Sequence, residues 1–220
     1  MTTRATGDAG STTRVYLVRH GSTAANRDVP YRLQGRGSDH PLDATGRSQA
    51  LAAATALAKA PIVAVYTSPL RRARETACAI ARASGLEPVE LAALVEADLG
   101  RWEGLTWDEV KERYPQEFDR FMANPGTVPY LEGESFAEVR IRALGAIDRI
   151  VEAHRGRSVV VAAHNVVNRA LLSGWLGSPI DRARSIRQAN GGINLVEFEG
   201  DRATVVMMNS ILHLLGIESH

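Results

Sequence analysis

The stretch Val15-Tyr16-Leu17-Val18-Arg19-His20-Gly21 decides the reading of this chain. Its apolar run, with β-branched members and no charge before Arg19, has the pattern of a buried strand. In open α/β sheets the ligand crevice lies beyond the carboxyl ends of the strands. An arginine and a histidine at that end are placed for chemistry, and Thr23 and Asn26 follow at short range.

Two further segments repeat the arrangement. Ile62-Val63-Ala64-Val65-Tyr66 is a second buried strand, and Ser68 and Pro69 then read as N-cap and first position of a helix running to Ala83. This helix carries Arg71 and Arg72 on its first turn. Ser158-Val159-Val160-Val161-Ala162-Ala163 is a third strand and runs directly into His164-Asn165, with a helical pattern following through Leu172 and Trp175. Helical spacing also marks Gly46 to Ala60, and strand-like segments joined by the turn Gly200-Asp201 close the chain. Strands alternating with helices predict an α/β fold, a three-layer α/β/α sandwich on a mainly parallel sheet.

Residues from about 85 to 135 differ in character, richer in aromatics, prolines and glycines, and read as a small helical cap inserted over the sheet. Thr106-Trp107-Asp108-Glu109 and Ser135-Phe136-Ala137-Glu138 both have the form of a capping box. Tyr114, Phe118, Phe121 and Met122 read as the cap's own core, while Trp102 and Trp107 could pack the cap or shape a pocket. Residues 14–220 are expected to form one domain. The small, polar segment 1–13 has no apolar stretch of a signal peptide and reads as a disordered tail.

Composition removes several classes of function. With 45% hydrophobic and 23% charged residues and a net charge of +1, the 220-residue chain is an ordinary globular protein. No lysine and arginine cluster is interleaved with aromatics, so nucleic-acid binding has no footprint. No uncharged run approaches the roughly 20 residues a membrane span needs. The only cysteine, Cys78, excludes an intrachain disulfide and a cysteine-based zinc site, and a cytoplasmic location is expected. There is no phosphate-cradling glycine loop, no dinucleotide fingerprint and no metal-binding His-Glu helix motif.

Three strands thus end in residues suited to an anion: Arg19 and His20, Arg71 and Arg72, and His164. Free N–H groups and the dipole at the helix N-termini that follow favour phosphate or carboxylate, and guanidinium groups add bidentate donors.

At these residues the chain resembles the histidine phosphatase superfamily, in its phosphoglycerate mutase-like branch. The elements carrying the resemblance are Arg19-His20-Gly21-Ser22-Thr23 with Asn26, Gln34-Gly35, Asp39-His40-Pro41-Leu42, Ser68-Pro69-Leu70-Arg71-Arg72-Ala73, Glu96 before Gly100-Arg101-Trp102-Glu103-Gly104, Gly133-Glu134-Ser135, and His164. The resemblance implies that His20 is a nucleophile that accepts a phosphoryl group on a ring nitrogen. Arg19, Arg72 and His164 would hold the phosphoryl oxygens, and no metal or other cofactor would be needed. Glu96 would protonate the leaving oxygen and later activate water, with Asp98 and Glu103 close by as alternative proton donors. His20 should be neutral and His164 protonated, their environments pushing the two pKa values apart. Thr23 and Asn26 would be secondary phosphate contacts, or else caps of the following turn. Gln34 and Gly35 would lie at the pocket rim.

The family often has glycine after its second histidine. Here the segment is His164-Asn165-Val166-Val167-Asn168-Arg169, which puts Asn165 and Asn168 forward as amide donors near the phosphate. The cap is short for the enclosing lobe of a mutase, so the expectation is hydrolysis of a small phosphomonoester. A cofactor-dependent phosphoglycerate mutase and a non-catalytic phospholigand-binding protein are the alternatives. The family also suggests a homodimer.

Overall fold

A computed structural model describes residues 12–217. Its core is a six-stranded sheet in the order β3-β2-β4-β1-β5-β6, formed by β1 (Thr13–Arg19), β2 (Ile62–Thr67), β3 (Pro88–Glu90), β4 (Ser158–Ala163), β5 (Ile193–Glu199) and β6 (Arg202–Ser210). The pairs β1 with β4, β2 with β4 and β2 with β3 are parallel, and β5 and β6 add to the β1 side as antiparallel strands. The carboxyl ends of β1, β2 and β4 therefore share one edge.

β4 lies at the centre and every one of its residues is buried. Period-2 alternation divides its side chains between two cores. Val159, Val161 and Ala163 join Val15 and Leu17 of β1 beneath α6 (Phe136–Ala153) and α7 (Asn165–Trp175). Val160 and Ala162 join Val18 beneath α2 (Ala44–Leu57) and α3 (Arg71–Ala83). That division makes the three layers. The expected tail is shorter than its reading, because Thr13 is buried and opens β1; residues 1–11 of that segment lie outside the described residues.

Local chemistry sets the helix starts. The side chains of Thr106 and Ser135 accept from Glu109 and Glu138 N–H, while those glutamates reach back, so both capping boxes form and open α4 (Trp107–Arg113) and α6. At α3 the cap lies elsewhere than expected: the helix begins at Arg71 after Leu70, and Ser68 Oγ accepts from Leu70 N–H inside the preceding turn. The segment 85–135 supplies the edge strand β3, α4 and α5 (Pro115–Ala123), and packs around Trp102, which is fully buried. Phe121 and Tyr130 contact that indole with ring centres 5.2 and 5.8 Å away. Met122, by contrast, is exposed.

The turn after His20 is locked against two helices. Gly21 N–H donates to Thr76 Oγ1 on α3, and Ser22 Oγ donates to Asp43, the N-cap of α2. Gly21 and Gly46 meet backbone to backbone, and a Cβ on either would overlap the other segment's main chain. In an open helix, replacing glycine with alanine is stabilising by roughly 0.5–1 kcal/mol. Here the sign reverses: we expect Gly46→Ala to lower unfolding free energy by about 1–3 kcal/mol in urea titrations. An unchanged or raised midpoint would contradict the close approach.

Candidate active site

The shared sheet edge brings the predicted residues together. His20 follows β1 and His164 follows β4, with ring centres 5.2 Å apart. Both rings are buried. His20 Nδ1 lies 2.7 Å from Gly21 O. A carbonyl can only accept, so Nδ1 carries the hydrogen and Nε2 presents its lone pair. His164 has neither ring nitrogen hydrogen-bonded.

Two arginines bring charge to this point, and among the described residues neither is in an ion pair. Arg72, on the first turn of α3, is fully buried; its Nη1 donates to Ser38 O at 2.6 Å and its Nη2 to Gly35 O at 2.9 Å. Arg19 Nη1 donates to Gln188 O at 2.6 Å. The Nε–H of each is buried without a partner. Unpaired buried donors cost about 1–3 kcal/mol apiece. Burial pushes Arg19 down to about 10, which still leaves it charged at neutral pH.

Burial, followed by the charges of Arg72 and Arg19, pushes His20 well below the usual imidazole range. The same is true of His164, where burial, Arg72 and then His20 act in the same direction. Both rings are therefore driven toward the neutral form, against the expectation of a protonated His164, because no anion among the described residues sits beside His164 to favour its imidazolium.

Among the three acids, geometry separates one. Glu96 lines the cavity, and its carboxylate accepts from Ala97 N at 3.0 Å and from Val166 and Val167 N on the first turn of α7 at 3.2 and 3.4 Å. Asp98 is turned to Arg36 and to Gly100 N–H. Glu103 is bound by Gly35 N–H and Ser38 Oγ. Neither lines the cavity. Glu96 is itself fixed from behind: Arg142 donates to the carbonyls of Ala93, Val95 and Glu96, and forms a two-pronged ion pair with Glu134. That pairing holds Glu134 below the usual carboxylate range against the effect of its burial.

The cavity at this edge has a volume of about 300 Å³. Arg19, His20, Glu96, Asn26, Gln34 and Asn165 line it, with Arg72 and His164 buried out of its lining. Two sequence-predicted contacts are structural instead. Gly35 spends its carbonyl on Arg72 and its N–H on Glu103, and Thr23 is a fully buried cap whose hydroxyl reaches Asn26 and Gln34. Asn26 completes that capping box and also accepts from Asn190 Nδ2. Asn168 does not face the cavity; its Nδ2 donates to Gln188 Oε1, within a buried group of amides that includes Asn194. Gln188 is the residue whose carbonyl holds Arg19.

Sequence reasoning missed Tyr31, Tyr130, Arg169, Arg184, Gln188 and Asn190 as parts of the cavity wall. Arg169 had a readable signal, since it lies four residues after Asn165 on α7 and so on the same face. The others come from loops and the cap, where no period points inward. Trp102 and Trp107 divide the two readings between them: Trp102 is cap core and Trp107 is pocket wall. His40 is exposed. Among the described residues no helix is long and apolar enough to cross a membrane, and no three His, Cys, Asp or Glu side chains are grouped to hold a metal ion.

Residues 15–211 match the family model described as the histidine phosphatase superfamily, branch 1. The chain is 32% identical to phosphoserine phosphatase 1 of Hydrogenobacter thermophilus, covering 94% of this chain and 98% of that one. It is also 32% identical to a metal-independent phosphoserine phosphatase of Arabidopsis thaliana, over 93% of this chain and 84% of that one. Among solved structures, Bacillus stearothermophilus YhfR superposes with a TM-score of 0.85 at 33% identity, over 92% and 99% of the two chains. With the histidine pair, the buried arginines and the flanking glutamate gathered at one sheet edge, the chain belongs to the histidine phosphatase superfamily and is one of its phosphatases.

Proposed function

We propose that this enzyme hydrolyses a small phosphomonoester in two steps through a phosphohistidine on His20, and that Arg19, Arg72, His164 and Glu96 carry the chemistry with it. The observation that carries the reading is the hydrogen bond from His20 Nδ1 to Gly21 O, which leaves a neutral ring with Nε2 free to attack. Phosphoryl transfer passes through a loose transition state that needs in-line placement and positive surroundings more than covalent help. The unpartnered Nε–H groups of Arg19 and Arg72 and the unpartnered ring of His164 supply those surroundings. A phosphoryl dianion entering between the rings is the counter-charge that favours the imidazolium of His164.

In the first step His20 Nε2 forms a bond to phosphorus as the ester P–O bond breaks, and Glu96 gives its proton to the departing oxygen. In the second, Glu96 takes a proton from water as the water oxygen attacks phosphorus and the P–N bond breaks. The N–H groups of Ala97, Val166 and Val167 keep the Glu96 carboxylate oriented for both transfers. Gln34 and Asn165 belong to the wall that meets the substrate, and the segment 85–135 acts as its cap. The reaction is placed in the cytoplasm, where Cys78 stays a free thiol.

We expect His20→Ala to lower kcat at least about 10⁴-fold and Glu96→Gln about 10²- to 10⁴-fold, with wild-type activity retained in excess chelator. Rapid quenching with a labelled ester should trap acid-labile phosphate on His20. Full activity in His20→Ala overturns the mechanism, and isomerisation of 3-phosphoglycerate faster than its hydrolysis identifies a mutase instead.

The lowered histidine pKa values also set a pH dependence for folding. The unfolded chain protonates both imidazoles below about pH 6.5, whereas the folded chain keeps them neutral. Stability is thus fully present above that pH and is lost as pH falls below it, by up to about 1.4 kcal/mol per pH unit for each ring. In urea titrations between pH 7.5 and 5, His164→Gln should flatten the wild-type slope by one ring's share. An identical slope would mean that His164 is protonated in the fold.

A further inference from the structure

The cavity holds more positive charge than a phosphoryl group uses. Arg19, Arg32, Arg169 and Arg184 line it, against the single carboxylate of Glu96. The Glu96 carboxylate is already engaged by the N–H groups of Ala97, Val166 and Val167. Arg32 is neutralised from outside, with Glu109 at 3.3 Å and Asp28 at 3.9 Å. Arg19, with Arg72 behind it, matches a phosphoryl dianion. Arg169 and Arg184 are left over.

Both are held in place without being neutralised. Arg169 Nε donates to Ile186 O at 2.7 Å. The guanidinium carbon of Arg184, on the 3-10 turn Ile180–Ser185, lies 4.9 Å from the ring centre of Trp107 and 5.4 Å from that of Phe121. One of its nitrogens reaches Met122 Sδ at 2.6 Å. Stacking of this kind fixes the guanidinium plane and leaves its charge intact. No carboxylate among the described residues lies within ion-pair distance of either arginine, and burial, with the nearby charge of Arg184, weakens the hold of Arg169 on its proton. Two like charges turned to one cavity, neither in an ion pair, are a cost that an incoming anion removes.

The neighbouring hydroxyls are donors as well. Tyr130 is buried and keeps its phenol proton, and Tyr31 Oη accepts from Trp107 Nε1 at 2.7 Å, leaving its own O–H to give. A cavity of about 300 Å³ is at the small end for ligand sites, so both anions must belong to one compact molecule.

We propose that Arg169 and Arg184, helped by Tyr130, form a second anion site that takes a carboxylate of the same phosphomonoester, so that the enzyme selects small phosphorylated acids over neutral esters. The proposal rests on the phosphatase reading above and names the substrate class for it. Arg169 and Arg184 set specificity in this scheme and take no part in bond making.

O-phosphoserine and O-phosphoethanolamine differ only by the carboxylate, which makes them the direct test. We expect wild-type kcat/KM to favour phosphoserine by at least about 30-fold, the value of one desolvated charge pair. Arg184→Met and Arg169→Met should each shrink that ratio at least tenfold, acting mainly through KM, and Arg184→Lys should restore part of it. Fructose 1,6-bisphosphate against fructose 6-phosphate asks whether a second phosphoryl group serves instead. Equal wild-type kcat/KM for phosphoserine and phosphoethanolamine overturns the carboxylate site, as does a preference confined to the bisphosphate. Loss of both activities in parallel in the two methionine variants makes Arg184 a clamp for the cap only. If wild-type enzyme hydrolyses no ester at all, the phosphatase reading fails rather than this one.

Discussion

A buried guanidinium held by backbone carbonyls keeps its whole charge, and the active-site edge is organised around that constraint. Arg72 is gripped by Ser38 O and Gly35 O, Arg19 by Gln188 O, and Arg169 by Ile186 O. A carbonyl offers direction and partial charge without cancelling the field, whereas a carboxylate would do both. Arg142 shows the other choice. Paired with Glu134 through two of its nitrogens, it has its charge largely matched on the spot and serves as a bracket for the strand of chain that carries Glu96. The way an arginine is held therefore separates field from scaffold in this molecule.

That choice dictates what the surrounding loops must do. Carbonyls can point inward only if their own N–H groups are served elsewhere, and the turns here divide their polar groups accordingly. Gly35 gives its oxygen to Arg72 and its N–H to Glu103, and Glu103 in turn ties Ser38, whose carbonyl also serves Arg72. On the other side, Asn168 and Asn194 hold the Gln188 amide so that its backbone oxygen meets Arg19. Fixed dipoles of this sort need no reorganisation when charge moves between ester, histidine and water. The unpaired donors that remain are the stability such a site gives up in advance.

Much of this was legible in the chain and some was not, for physical reasons. The buried strands declared themselves as uncharged apolar runs, and the capping boxes at Thr106 and Ser135 fixed two helix starts to the residue. His20, Arg19, Arg72 and His164 were readable because each directly follows a strand or opens a helix, where position in the sequence is position in space. The start of α3 was misplaced because Ser68 caps a turn, not the helix, a distinction of backbone angles that side-chain type does not carry. Gly35 and Thr23 were given to the substrate although their polar atoms are consumed by Arg72, Glu103, Asn26 and Gln34. Arg184, Tyr31 and Tyr130 reach the cavity from irregular segments, and only tertiary packing determines which way such side chains face.

The sheet order has a consequence for how the chain comes to be folded. β1 leads directly into His20, yet its neighbours in the sheet are β4 and β5, more than 130 residues further along the chain. A polypeptide emerging amino end first must hold an apolar strand leading into His20 unpaired until β4, at residues 158–163, has been made. Contacts so distant in sequence are slow to form, and an unpaired apolar strand is open to wrong partners meanwhile. Arg14, the charge near the start of β1, pairs with Glu197 of β5 in the finished sheet and, before that, joins Arg19 at the other end in discouraging association of the waiting strand with its own copies.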